Sequence, residues 1–204
     1  MATGSSAPLI LITGGSRGVG AATARLAAAQ GYDVAISYIN NEAAALGVVA
    51  DVQALGRRAL AIRADSADPE QVAHLFRAID ETFGRIDVLV NNAAIIALQS
   101  RFEDLDVARM QRIFAINAIG PMLCAQQAVK RMSFRHSGNG GSVINVSSGA
   151  ARLGSPNEYV DYAASKGALE TFTIGLSKEV AREGIRVNCV RPGHIYSEMH
   201  ASGG

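Results

Sequence analysis

From residue 9 onward the chain alternates short apolar runs with longer segments of helical period, and this alternation restricts the fold more than any other feature. The runs cover residues 9–13, 33–38, 59–63, 87–91, 142–147 and 185–190. Each is of strand length, and the spacing between them leaves room for a helix. Several intervening segments end at a glycine just before the next run, at Gly31, Gly56, Gly84 and Gly184, where a left-handed residue closes a helix. Helix starts are marked as well. Asp68-Pro69-Glu70-Gln71 combines an N-cap acid with a proline at the first helical position, and Ser155-Pro156-Asn157-Glu158 has the spacing of a capping box. Strand, helix, strand repeated in this way requires right-handed crossovers and a parallel sheet covered on both faces. The expected class is doubly wound α/β, with one parallel sheet and helices on each side.

Composition narrows the function. The chain has 204 residues, 49% of them hydrophobic, enough to bury the core of one domain over residues 8–204 after a loose start at 1–7. Lys and Arg number 19 against 18 Asp and Glu, so no basic excess is present to hold a phosphate backbone, and no nucleic acid is expected. No run approaches the roughly 18 apolar residues of a membrane span, and no basic, apolar leader opens the chain. Cys124 and Cys189 lie in apolar segments and read as reduced core thiols, so the expected location is the cytoplasm. His74, His136, His194 and His200 lack metal-ligand spacing, and no metal is expected. After the sixth run Pro192-Gly193 turns the chain away and the sequence closes on Ala-Ser-Gly-Gly, an ending that reads as cut rather than finished.

Thr13-Gly14-Gly15-Ser16-Arg17-Gly18-Val19-Gly20 follows the first run directly and opens an alanine-rich helix. An open parallel sheet places its phosphate-binding turn there. Gly14 permits the tight turn, Gly18 lets the backbone approach a pyrophosphate, and Gly20 lets the helix pack closely. The spacing is G-x-x-x-G-x-G, and the absence of Gly-Lys-Ser/Thr excludes a nucleoside-triphosphatase loop. By itself such a loop is equally a plain strand-to-helix turn.

Tyr162 and Lys166 are four residues apart and share one helix face. A phenol with a pKa near 10 becomes an acid-base catalyst at neutral pH only if the phenolate is stabilised, by roughly 3 to 4 kcal/mol for two to three units. An ammonium one turn away is suited to that task. Ser147-Ser148 ends the fifth run, and side chains at the carboxyl ends of parallel strands gather where such sheets bind ligands. Taken singly, the pair reads as an exposed helix face and the serines as a polar strand exit.

With these features in this order, the chain resembles the short-chain dehydrogenase/reductase family, the branch with T-G-x-x-x-G-x-G and Y-x-x-x-K, over residues 9–199. The resemblance implies a Rossmann-like fold and catalysis by Asn117, Ser148, Tyr162 and Lys166. Asp65 and Ser66 fall where the family holds the adenine, and Asn91-Asn92-Ala93 where N-N-A-G lines the adenine-ribose side, with Ala94 in place of the last glycine. Pro192 and Gly193 match a turn facing the nicotinamide, with Ile195 and Ser197 where the family binds the carboxamide. Gly14, Ser16, Arg17, Gly18, Val19, Gly20 and Tyr38 complete the implied cofactor contacts.

The family implies hydride transfer between an alcohol and a ketone, with Lys166 lowering the Tyr162 pKa and Asn117 holding a water beside Lys166. A small carbonyl or alcohol substrate is expected, of the kind handled by sugar dehydrogenases or 3-oxoacyl reductases. NADP(H) is expected over NAD(H). The second run ends Ser37-Tyr38-Ile39-Asn40 with no acid to repel a 2′-phosphate, and Arg17 is placed to hold one. The family also implies a homodimer or homotetramer, for which Ala168, Leu169, Phe172 and Leu176 are expected to form an outward apolar face. The alternatives are a same-fold epimerase or dehydratase, disfavoured by the glycine spacing, and a catalytically silent nucleotide-binding scaffold, disfavoured by the intact Asn, Ser, Tyr and Lys set.

Overall fold

The computed structural model describes residues 7–195, so the expectations for residues 1–6, Ser197 and His200 lie outside the described residues. Six strands, β1 (Leu9–Ile12), β2 (Asp33–Tyr38), β3 (Ala59–Arg63), β4 (Val88–Asn91), β5 (Gly141–Val146) and β6 (Ile185–Val190), form one sheet. All pairs are parallel, in the order β3-β2-β1-β4-β5-β6. Every apolar run became a strand, with bounds shifted by at most one residue. The helices are α1 (Gly18–Ala29), α2 (Glu42–Ala54), α3 (Pro69–Phe83), α4 (Val107–Phe114), α5 (Gly120–Met132), α6 (Ala150–Leu153) and α7 (Val160–Glu179).

All four residues of β1 are buried, because both faces of the sheet are covered. Leu9 and Leu11 pack with Leu75, Phe76 and Ile79 of α3 and with Cys124 and Ala128 of α5. Ile10 and Ile12 pack on the other face with Ala24 and Ala28 of α1 and Val48 and Val52 of α2. Phe76 is fully shielded, and burying a side chain of that size stabilises the fold by about 1.5–3 kcal/mol. The chain runs from β1 outward to β3, then returns to place β4 on the other side of β1. That reversal opens a crevice above the carboxyl ends of β1 and β4, where such sheets take ligands.

The local signals were read correctly at α3. Asp68 caps it by accepting from the Glu70 and Gln71 N–H groups at 2.9 and 3.2 Å, and Gly84 closes it at φ +69°. At α7 they were not. Ser155 has φ +44° and Asn157 φ +62°, so 155–158 forms a separate turn in which the Ser155 carbonyl accepts from Glu158 and Tyr159. An N-cap needs extended backbone, which Ser155 does not have. The helix therefore starts at Val160, and Tyr162 sits in its first turn.

The expected outward apolar face of α7 is also corrected. Leu169 is fully buried, and Phe172 and Leu176 pack against the core. Asn117 was expected inside one long helix. It lies there, in an unbroken helical stretch from Val107 to Met132, at the point where Ala115–Ile119 between α4 and α5 widen into a π turn, which often marks functional sites.

Candidate active site

The glycine loop is shaped from behind. Asn92 Nδ2 donates to the Thr13 and Gly14 carbonyls, each at 3.0 Å. The Thr13 hydroxyl accepts from the Asn92 and Ala93 N–H groups, also at 3.0 Å. Ser37 of β2 takes the Gly14 N–H on its hydroxyl and the Gly15 N–H on its carbonyl. A Cβ on Gly20 would lie 2.5 Å from the Gly14 carbonyl oxygen and 2.7 Å from Asn92 Nδ2. Gly20 thus serves close packing of α1 on the loop, as the sequence indicated. A Cβ on Gly15 would lie 2.5 Å from Ile36 Cβ, a requirement of packing that the motif alone did not reveal. Thr13, Ser37 and Asn92 were not among the expected site residues, and only Thr13 and Asn92 belonged to motifs that could have signalled them.

Above this loop lies a cleft of about 340 Å³. Of the residues singled out from sequence, Gly14, Ser16, Arg17, Gly18, Val19, Tyr38, Asp65, Ser66 and Ala93 line it. Arg17 is exposed at the N-cap of α1, whose first N–H groups open toward the cleft as an anion site. Asp65 accepts from the Ala67 N–H at 2.9 Å and from Arg112 Nη2 at 3.0 Å. Ala94 lines the cleft too and is not among the positive-φ residues, so its methyl group sits without backbone strain.

Asn91 is not in the cleft. Its amide, 2% exposed, donates to the Pro121 carbonyl and to Asn145 Oδ1 at 2.9 Å, and Asn145 continues to the Thr173 hydroxyl at 2.8 Å. The alternation of β4 turns Asn91 into the sheet's α5 and α7 side and leaves Asn92 to face the loop.

At the other end of the crevice Tyr162 and Lys166 meet the end of β5. Lys166, 2% exposed, donates from Nζ to the Val146 carbonyl at 2.8 Å, with Nζ 5.8 Å from the Tyr162 ring centroid. The Ser148 hydroxyl accepts from the Ala150 N–H at 3.1 Å and lies close enough to the Tyr162 phenol to favour its ionised form, whereas Ser147 turns away to Glu170 at 2.9 Å. Asn117, fully buried, accepts from the Ile95 N–H and donates to the Ile95 carbonyl, both at 2.9 Å. It also donates to the Ser165 hydroxyl at 3.2 Å. It is engaged by Ile95 and Ser165, neither of which was anticipated. Pro192, Gly193 and Ile195 follow β6, and the Gly149 N–H donates to the Pro192 carbonyl at 3.0 Å.

The electrostatics of the pair are set by burial. Burial pushes the Tyr162 phenol above its ordinary 10.0, with the Ser148 hydroxyl pulling the other way. The lowering expected of Lys166 acting together with an oxidised nicotinamide is a property of the loaded site, and in the protein alone burial sets the direction. Burial brings the Lys166 ammonium down to about 8. Among the described residues no His, Cys, Asp and Glu cluster could hold a metal, and no helix is long and apolar enough to cross a membrane.

Comparison with known proteins agrees with this architecture. The family model for short chain dehydrogenases matches residues 8–203. The chain is 53% identical over 196 residues to an uncharacterized oxidoreductase, YgfF, of Escherichia coli (strain K12), covering 96% of this chain and 79% of that protein. It is 37% identical over 201 residues to a 3-oxoacyl-[acyl-carrier-protein] reductase of Synechocystis sp. (strain ATCC 27184 / PCC 6803 / Kazusa), covering 97% and 78%. A crystal structure of a short chain dehydrogenase from Burkholderia cenocepacia J2315 in complex with NADP superimposes with a TM-score of 0.86 at 41% identity, covering 94% and 76%. The chain belongs to the short-chain dehydrogenase/reductase family, and it is an NAD(P)-dependent oxidoreductase that acts on CH–OH groups, interconverting alcohol and ketone.

Proposed function

We propose that the protein is an NADP(H)-preferring enzyme for a small carbonyl or alcohol substrate, with Tyr162 as general acid and base. The observation that carries this reading is the meeting of Tyr162, Ser148 and Lys166 at the end of β5, on the same carboxyl edge of the parallel sheet as the glycine loop and the open N-terminus of α1. When bound, the nicotinamide supplies the hydride in reduction and accepts it in oxidation. The residues present fit such a dinucleotide, since the glycine loop has no side chain where the backbone must come close and the cleft walls are small or polar. Gly14, Ser16, Arg17, Gly18 and Val19 would hold the phosphates, Asp65, Ser66 and Ala93 the adenosine side, and Lys166, Pro192, Gly193 and Ile195 the nicotinamide half.

In reduction the Tyr162 phenol gives its proton to the substrate oxygen. Ser148 donates a hydrogen bond to the alkoxide as it develops. Lys166, held by the Val146 carbonyl, stabilises the phenolate left behind. Asn117 is a positioning residue that fixes Ile95 beside the crevice and, through Ser165, the helix carrying Tyr162. Assays of carbonyl and polyol substrates with NADPH and NADP test the reading as a whole, and turnover of none of them would sink it.

The cofactor preference is supported by the corner formed by Tyr38, Ile39, Asn40 and Asn41, which has no carboxylate on β2 itself. Glu42, at the start of α2, is hydrogen-bonded to the Tyr38 phenol. The Arg17 guanidinium can hold a 2′-phosphate by its planar fork, a charge-assisted contact contributing about 1.5–3 kcal/mol. Arg17→Ala should therefore lower kcat/KM for NADP about 10- to 100-fold and change that for NAD far less. Equal loss for both cofactors, or a wild-type preference for NAD, would refute the assignment.

We also propose a homodimer or homotetramer, supported by Ile119 and Ile174, which stand 50% and 56% exposed between α4 and α5 and on α7. Light scattering at micromolar concentration should give at least twice the chain mass, and a monomer would contradict it.

A further inference from the structure

The two adjacent serines at the end of β5 divide their work, and the one that turns from Tyr162 leads to a second structure. Ser147, 3% exposed, donates to Glu170 Oε1 at 2.9 Å. Glu170 lies one turn beyond Lys166 on α7. Its carboxylate is gripped from the other side by Arg191, through Nη2 to Oε2 at 2.7 Å and through Nε to Oε1.

Arg191 is the first residue after β6 and opens the turn at Pro192-Gly193. The main chain around it is pinned on both sides, since the Ser147 N–H donates to the Val190 carbonyl at 2.8 Å and the Gly149 N–H to the Pro192 carbonyl at 3.0 Å. The turn is thereby laced to the strand end that presents Ser148, and the Glu170 carboxylate ties both to the helix that presents Tyr162 and Lys166. The Arg191 hydrogen bond holds the Glu170 carboxyl below its ordinary 4.5, so the pair is charged at neutral pH. The Glu170 side chain is 15% exposed and that of Arg191 40% exposed, so the carboxylate is the buried anchor and the arginine the arm reaching from the turn.

We propose that Glu170 is a positioning residue that, through Arg191, fixes the Pro192-Gly193 turn against the nicotinamide end of the crevice. Glu170 touches no reacting atom. Without its carboxylate the Arg191 side chain is released to solvent, and the turn loses its side-chain tie to α7. The adenosine half of the crevice is built by the glycine loop and does not depend on this tie. The proposal rests on the dinucleotide reading above, and its test separates the two.

The test measures binding of NADPH and of 2′-phospho-ADP-ribose by titration calorimetry, in wild type, Glu170→Gln and Arg191→Lys. The second ligand keeps the adenosine half and lacks the nicotinamide. Both variants should bind NADPH about tenfold more weakly, equivalent to about 1.4 kcal/mol, and 2′-phospho-ADP-ribose within about twofold of wild type. Arg191→Lys keeps the charge and removes the planar fork, so it carries the test if Glu170→Gln does not fold. Unchanged NADPH affinity overturns the proposal, as does equal loss for both ligands, which would make Glu170 a general support of the fold. Wild-type protein that binds neither ligand overturns the dinucleotide reading, and the proposal with it.

Discussion

Tyr162→Phe should lower kcat by at least about 10²-fold while leaving cofactor affinity within about twofold. Phenylalanine keeps the ring packed in its buried place on the first turn of α7 and removes only the hydroxyl that exchanges a proton with substrate. The pH dependence should point to the same group. Burial raises the phenol above 10.0, so in the protein alone it stays protonated through neutral pH, the form that reduction needs. Oxidation needs the phenolate and should rise as pH climbs, with reduction falling in step. A Phe variant retaining more than about a tenth of wild-type kcat would remove Tyr162 from the mechanism.

Lys166→Met should abolish most activity and yet make the protein more stable at pH 7. The ammonium is buried, and its folded-state pKa of about 8 lies below the ordinary 10.5. Because the folded pKa is depressed, the fold disfavours the charged form. That penalty is present in full below pH 8 and is relieved as pH rises from 8 through 10.5. A methionine of similar length carries no such penalty but forfeits the hydrogen bond to the Val146 carbonyl. The net gain should be about 1–2 kcal/mol at neutral pH, shrinking toward pH 10.5. Urea unfolding of both proteins at pH 7 and pH 10 measures it. A variant less stable than wild type at pH 7 would show that Lys166 is held in the fold at no cost and that its burial is not a functional compromise.

The two substitutions expose different parts of the design. The chemistry proposed for Tyr162 comes at little structural cost, since an aromatic ring packs well there with or without its hydroxyl. The chemistry proposed for Lys166 works against stability, a pattern expected where a charge must be kept beside a reacting group.

Fold class, strand positions and the shared helix face of Tyr162 and Lys166 were legible in the sequence, because each is set by local periodicity or by spacing along one element. Buried parallel strands read as continuous apolar runs, and glycines before strands mark helix ends through their positive φ. Tyr162 and Lys166 share a face because the helix repeat requires it. What only the tertiary structure decided was which way side chains turn where elements meet. Ser147 and Ser148 are equivalent in sequence, yet the pleat of β5 gives one to Glu170 and the other to Tyr162. Asn91 and Asn92 divide in the same manner, one into the sheet and one onto the glycine loop. The capping pattern at Ser155 gave way to a left-handed turn, and the apolar stripe of Leu169, Phe172 and Leu176 turned to the core instead of outward. Direction at a strand end, and the pKa of a buried amine, depend on neighbours distant in the chain, and neither local periodicity nor composition carries that information.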